Sequence, residues 1–281
     1  MVKLPRTYTL NLDGRLLPLR KPSVMAIINV TPDSFYADSR ATDEATLRKN
    51  VQTAVAGAAD IIDVGACSTR PGSTAVSADE ELQRLLWALP IVRAEAPQLP
   101  LSLDTFRADI AQRCVQEFGA MVINDVSGGN ETMFQTVAQL RVPYVLTHNP
   151  ATTSDATDIS AEVLEWLARR IDELLLMGVS DVIADVGFGF GKTLAQNYSL
   201  AAALPAFQAL DAPLLVGVSR KRMVYEALQC TPDEALVGTT TLQTLLMAAG
   251  ADILRVHDVR AATQARTIFQ NVNAQPSDCE Q

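Results

Sequence analysis

Positive charge is scarce in this chain. Lysine and arginine number 23 against 32 aspartates and glutamates, a formal net charge of −9 over 281 residues. That balance argues against nucleic acid or an anionic membrane as the main partner, and admits a small anionic ligand only where cations are gathered locally. Cysteine is sparse as well. Cys67, Cys114, Cys230 and Cys279 form no C-x-x-C pair and no His–Cys spacing, which sets aside a zinc site and a disulfide framework. No apolar run reaches the length of a membrane span, and the opening "MVKLPRTYTLNLDGR" lacks the apolar core of a signal peptide. The expectation is a soluble cytoplasmic protein with reduced thiols. Two common nucleotide loops are missing too. "DVGFGFGKT" (185–193) has Val186 where a P-loop needs its first glycine, and Lys192 where the dinucleotide fingerprint needs its third.

What is present is a rhythm. Short runs rich in Val, Ile and Leu recur as "VMAIINV" (24–30), "DIIDVG" (60–65), "LPLSLD" (99–104), "AMVIND" (120–125), "VPYVLTH" (142–148), "DVIADVG" (181–187), "APLLVGVS" (212–219) and "ADILRVH" (251–257). Runs apolar on both faces read as buried parallel strands. Between them lie helix signals. "SADE" (77–80) and "TPDE" (231–234) fit capping boxes, and 160–178 carries apolar residues at three-and-four spacing before a glycine. Eight such repeats at the scale of a βαβ unit predict a single α/β domain, a closed (β/α)8 TIM barrel. Residues 8–20 alternate around Asp13-Gly14, a short N-terminal β-hairpin placed at the barrel's lower end. The expected divisions are a hairpin extension over 1–23, the barrel over 24–275 and a disordered tail over 276–281.

Active sites of such barrels sit at the C-terminal ends of the strands. Asn29, Asp104, Asn124 with Asp125, and Asp185 end apolar runs; Ser219-Arg220-Lys221-Arg222 follows the seventh, and Arg255 and His257 belong to the eighth. Taken singly, an Asp or Asn after a strand is more often a cap or turn former, and each histidine a core or surface residue. Jointly that reading weakens. Arg70, Lys192, Arg220, Lys221, Arg222, Arg255 and His257 gather at one predicted rim of an acidic protein, and cations at a helix start oppose its dipole unless an anion is bound. Two subsites emerge. Asp104, Asn124 and Asp185, with Lys221 opposite, suit a flat heterocycle rich in N–H donors. Asn29, Arg255 and His257 suit phosphate oxygens and Mg²⁺.

The segments "INVTPDSF", "DIIDVGACSTRPGS", "SLDTF", "INDVSGG", "GFGFGKT", "VGVSRK" and "RVHDV", in that order, resemble the dihydropteroate synthases from Val24 to about Ala262. The resemblance implies a transferase of folate biosynthesis, a target of sulfonamides. In that reaction p-aminobenzoate attacks (7,8-dihydropterin-6-yl)methyl diphosphate, giving 7,8-dihydropteroate and diphosphate with Mg²⁺ as cofactor. Carried over residue by residue, Asp104, Asn124, Asp185 and Lys221 hold the pterin and Thr69 belongs with it. Asn29 meets the metal, and Arg255 and His257 the diphosphate, beside Arg70. "TPDSF" and "STRPGS" are implied to close over p-aminobenzoate, with Phe190 and Ser219 beside its ring and carboxylate. Asp104, Asp185, Lys221 and Arg255 make up the implied catalytic set. A homodimer through helices near the C-terminal end is also implied.

The chain departs from the family pattern at Val186, Cys67, Arg222 and in "FYADSR". An arginine at 222 either pairs with the p-aminobenzoate carboxylate or points to solvent. Lys192 reads as a surface lysine at the next helix start. The alternatives are a pterin-binding methyltransferase domain, which has no use for Arg255, His257 or "STRPGS", and a catalytically silent pterin-binding paralogue. A sugar-phosphate barrel enzyme ranks last, for want of an acid/base pair.

Overall fold

The computed structural model describes residues 7–19, 22–30, 43–67, 76–150, 154–156 and 158–273. A two-stranded hairpin, β1 (Tyr8–Leu12) and β2 (Arg15–Leu19), precedes eight parallel strands. These are β3 (Ser23–Asn29), β4 (Ile61–Gly65), β5 (Leu101–Asp104), β6 (Val122–Asp125), β7 (Tyr144–Thr147), β8 (Val182–Asp185), β9 (Leu214–Val216) and β10 (Ile253–Val256). They pair in chain order and β10 returns to β3, closing the barrel as the repeats predict. All eight apolar runs became strands, each trimmed by a residue or more where the chain turns outward.

The helices are α1 (Glu44–Ala56), α2 (Ala78–Glu95), α3 (Ala108–Phe118), α4 (Glu131–Leu140), α5 (Ser160–Leu176), α6 (Leu194–Ala203), α7 (Arg222–Leu228), α8 (Leu236–Ala248) and α9 (Val259–Asn273). A 3-10 turn over Leu204–Leu210 continues α6. Helix starts follow capping chemistry: Asp43, Ser77, Asn130 and Thr193 each accept a backbone N–H of the first turn. The predicted box at 231–234 is a turn instead, and α8 begins only at Leu236. Glu234 folds its carboxylate back onto the Thr231 N–H (3.0 Å) and hydroxyl (2.9 Å). Arg220 meanwhile takes the carbonyls of Pro232 (2.8 Å) and Asp233 (2.7 Å), which a helix through this segment would use for itself.

Two apolar cores result. The larger lies between the strands' outer faces and the helices. The smaller fills the bottom of the barrel with Met25, Ile61, Val122, Val145, Ile183, Leu215 and Ile253, and against these pack Leu10, Leu12 and Leu19 of the hairpin. The hairpin therefore seals the barrel's lower end, as its position in the sequence predicts. Asp13 and Gly14 both take positive φ (53° and 83°), the geometry of the tight Asp-Gly turn. Its edge is tied down by the Asn11 N–H on Asp181 Oδ2 (2.6 Å) and by Arg15 on the Gln98 carbonyl (2.7 Å). Each leucine so buried contributes about 1.5–3 kcal/mol.

Candidate active site

Residues paired in register across parallel strands share a face, and a strand alternates faces with period two. The apolar floor therefore fixes what stands above it. Two residues on from Ile61, Val122, Val145, Ile183 and Ile253 come Asp63, Asn124, Thr147, Asp185 and Arg255, joined through register by Ser102 and Asp104. The barrel interior thus turns from hydrocarbon to charge within one layer, at the strand ends.

Arg255 is the centre of that layer. Its Nε donates to Asp63 Oδ2 (2.7 Å) and its Nη2 to Asp104 Oδ2 (2.5 Å). Burial opposes the guanidinium charge, but the two carboxylates outweigh it and hold Arg255 above its ordinary range. Asp104 is pushed up to about 7, chiefly by burial, with Asp63 and Asp125 adding repulsion that Arg255 only partly offsets. Asn124 donates its amide to Asp63 Oδ2 (3.1 Å), which turns its own carbonyl oxygen away from that carboxylate. Asn124 Oδ1, Asp63 Oδ1, Thr147 Oγ1 and Ser102 Oγ are all buried without a hydrogen-bond partner. Leaving buried acceptors unpaired costs about 1–3 kcal/mol apiece. A ligand edge carrying N–H donors is their complement.

Asp185 and Lys221 form the second half. Asp185 Oδ1 accepts the Gly187 N–H (2.8 Å), and burial raises its pKa while Lys221 pulls it down. Lys221 donates to the Phe188 carbonyl (2.6 Å) and stands 4.4 Å from the centre of the Phe190 ring. Burial lowers it to about 8, against the pull of Asp185. Ser219, buried at the end of the following turn, meets both the main-chain N–H (3.2 Å) and Nδ1 (3.1 Å) of His257. Asp104, Asn124, Asp185, Lys221 and Arg255 thus gather within one barrel mouth, with Ser219 and His257 paired beside them.

Other expectations meet different outcomes. Arg255, assigned to the phosphate side, bridges the carboxylates of the heterocycle side, so the two subsites share it. Arg220 does not face the mouth. It is buried at φ 51° with a two-point hold on Asp258 (2.8 and 3.0 Å) and two carbonyls, so it finds its anion within the chain. Arg222 points outward at 73% side-chain exposure and pairs with Glu226 one turn on (2.6 Å). Lys192 is a correction. It is no surface lysine: its ammonium reaches the carbonyls of His148 (3.0 Å), Gly187 (2.7 Å) and Phe190 (3.1 Å), and burial lowers it to about 7. Thr69 and Arg70, with both implied loops, lie outside the described residues. Asp63 was missed because it sits inside an apolar run, although its place two residues after Ile61 is an inward one.

Among the described residues no group of three or more His, Cys, Asp or Glu side chains is arranged to hold a metal. Asn29 ends β3 on the inward face, linked in register through Gly65 to Asp104, and offers a single amide oxygen. That donor set fits Mg²⁺ carried mainly by water and diphosphate oxygens, not an all-protein cage.

Fold and site together define a barrel enzyme whose mouth binds a polar heterocycle. The sequence model of the family described as Pterin binding enzyme matches residues 25–257. The chain belongs to that family. It is 37% identical over 269 residues to the dihydropteroate synthase of Escherichia coli (strain K12), covering 92% of this chain and 94% of that one. The Xanthomonas albilineans dihydropteroate synthase with 4-aminobenzoic acid superposes with a TM-score of 0.87 at 39% identity, covering 96% of this chain and all of that chain. The same enzyme in complex with 7,8-dihydropteroate gives 0.83 at 38% identity, with coverage of 96% and 100%.

Proposed function

We propose that the protein is a dihydropteroate synthase, joining (7,8-dihydropterin-6-yl)methyl diphosphate to p-aminobenzoate with release of diphosphate. The observation that carries this reading is the layer of unpaired acceptors above the barrel floor, in a chain similar over nearly its whole length to such synthases. Asn124, Asp185 and Thr147 accept the N–H groups of the pterin edge. Three carboxylates, Asp63, Asp104 and Asp185, face two cations, Arg255 and Lys221, so the buried layer turns net negative once Asp104 ionises, above about 7. Positive charge develops on the pterin methylene as its bond to diphosphate breaks. A preorganised negative floor stabilises it more than it stabilises the neutral ground state. The arylamine is unprotonated at neutral pH and attacks without a strong base. Asn29 would hold Mg²⁺, with His257 toward the diphosphate; when bound, the metal neutralises charge on the leaving group. Thr69, Phe190 and Ser219 remain assigned to substrate by resemblance, and Arg70 and Arg222 by the charge they would bring to it. Arg222 would have to leave Glu226 to reach a carboxylate. The free thiols of Cys114 and Cys230 support a cytoplasmic setting.

Diphosphate release with Mg²⁺, measured with and without p-aminobenzoate across pH, tests the reading. Release should require the arylamine and yield dihydropteroate. kcat/KM for the pterin should rise through about 7 as Asp104 ionises, and fall through about 8 as Lys221 loses its proton. Lys221→Arg should move only the upper limb. Pterin binding without release would instead favour the methyltransferase domain or the silent paralogue.

A homodimer is the assembly we favour. Val237 and Leu245 on α8 and Ile268 and Val272 on α9 are all more than half exposed, on helices packed side by side. A paired apolar surface of that kind fits a second copy of the chain. Light scattering should give the mass of two chains, and Leu245→Arg with Ile268→Arg should halve it. A wild-type mass of one chain would end the proposal.

A further inference from the structure

The loop that follows β8 is held from behind by a lysine that makes no hydrogen bond to the acceptor layer, although Asp185 feels its charge. Lys192 places its ammonium among three main-chain carbonyls, His148 (3.0 Å), Gly187 (2.7 Å) and Phe190 (3.1 Å), one for each of its protons. Two of those carbonyls belong to the loop, and the third to His148, the residue just after the neighbouring strand β7. Asn197 completes the hold. It accepts the Gly189 N–H (2.7 Å) and donates to the carbonyls of Lys192 (3.3 Å) and Thr193 (2.7 Å). The far side of the loop faces the site. There the Phe188 carbonyl takes Lys221 Nζ (2.6 Å), and the Phe190 ring lies 4.4 Å from the same ammonium.

We propose that Lys192 is a positioning residue for the second substrate, fixing the loop so that Phe190 and Lys221 together form the wall against which the arylamine docks. The proposal rests on the synthase reading of this mouth. Asp185 takes its position from strand β8 and needs the loop for one N–H only, that of Gly187. The pterin side is therefore expected to depend on Lys192 less than the arylamine side does. Among the described residues no other side chain supplies the three donors. Without them the His148, Gly187 and Phe190 carbonyls lose a shared partner in a partly buried place, and the loop has reason to shift. Misplacement by an ångström in a substrate wall costs on the order of a hundredfold in rate.

The test is Lys192→Met, which keeps the length of the side chain and removes the donors, with Lys192→Gln, which keeps two of them. Hydrogen exchange over residues 186–191 of the full chain is measured first, because it does not need turnover. KM for p-aminobenzoate and for the pterin diphosphate is then measured separately. Faster exchange confined to this loop is expected, with KM for p-aminobenzoate raised at least about tenfold and that for the pterin changed less than about threefold. Lys192→Gln should fall between wild type and Lys192→Met. Unchanged exchange, or two KM values that rise together, would overturn the proposal. If Lys192→Met does not fold, the same split or its absence in Lys192→Gln decides. Were the wild type to show no turnover, the synthase reading would fall while the exchange result still reported on the clamp.

Discussion

Arg255→Met is expected to lower stability by about 3–5 kcal/mol at pH 8 and to abolish turnover, because it strands two buried carboxylates at once. Asp63 is fully buried and Asp104 nearly so, and Arg255 is the cation both of them touch. Among the described residues no other cation is bonded to either carboxylate. The loss carries a pH signature. With the guanidinium gone, Asp104, already pushed up to about 7 by burial, loses the charge that pulls it down and holds its proton to still higher pH. The folded variant then binds more protons than the folded wild type in the interval above about 7, where wild-type Asp104 has ionised. Its stability falls as pH rises through that interval. The variant should therefore lie closest to wild type near pH 5 and furthest from it at pH 8. Urea unfolding at both values would measure this, with Arg255→Lys as the milder control. A loss below about 1 kcal/mol, the same at both pH values, would mean that the bridge contributes little.

Gly187→Ala should be nearly as costly for a different reason. Gly187 sits at φ 71°, and a methyl group there would stand 1.9 Å from the His148 carbonyl oxygen. That carbonyl is not free to retreat, since Lys192 is bonded to it and the His148 N–H is bonded to the Asp185 carbonyl (2.8 Å). The backbone conformation alone costs about 1–2 kcal/mol, and the collision adds about 1–3 more. Because the Gly187 N–H is a partner of Asp185, kcat/KM for the pterin diphosphate should also fall by on the order of a hundredfold. Gly178→Ala separates the two causes. Gly178 also has a positive φ, 91°, with nothing within 4 Å of the added carbon, so only the conformational cost applies. Equal destabilisation of the two variants would remove the collision from the account.

The barrel was legible because burial on both faces leaves a mark in every strand, and eight such marks at even spacing admit few arrangements. The polar strand ends were legible for the same reason: Asp104, Asn124 and Asp185 each interrupt an apolar run where the chain emerges from the sheet. Asp63 was not, since a carboxylate four residues into "DIIDVG" looks like an interruption only once its partner is known. That partner, Arg255, is 192 residues away in sequence. The cations misled in the same manner. Lys192, Arg220 and Arg222 share a rim in the sequence, yet three carbonyls, Asp258 and Glu226 claim them one by one. Composition can place a charge near a site, but direction is decided by tertiary neighbours. The turn at 231–234 shows the reverse influence, with a distant arginine overriding a local helix signal.

The hairpin beneath the barrel has one further consequence. With Leu10, Leu12 and Leu19 packed into its base, the barrel is closed below among the described residues, and its polar layer opens toward the strand-end mouth. Traffic through such a mouth has an order: what lies deepest must arrive before what lies above it, and a compound seated at the threshold detains whatever is behind. On the proposed reading the pterin edge would lie against the deep acceptors, and the arylamine nearer the entrance, beside Phe190. A mimic of the arylamine would then do more than compete for a place. By sitting over the pterin it would keep the inner ligand from leaving.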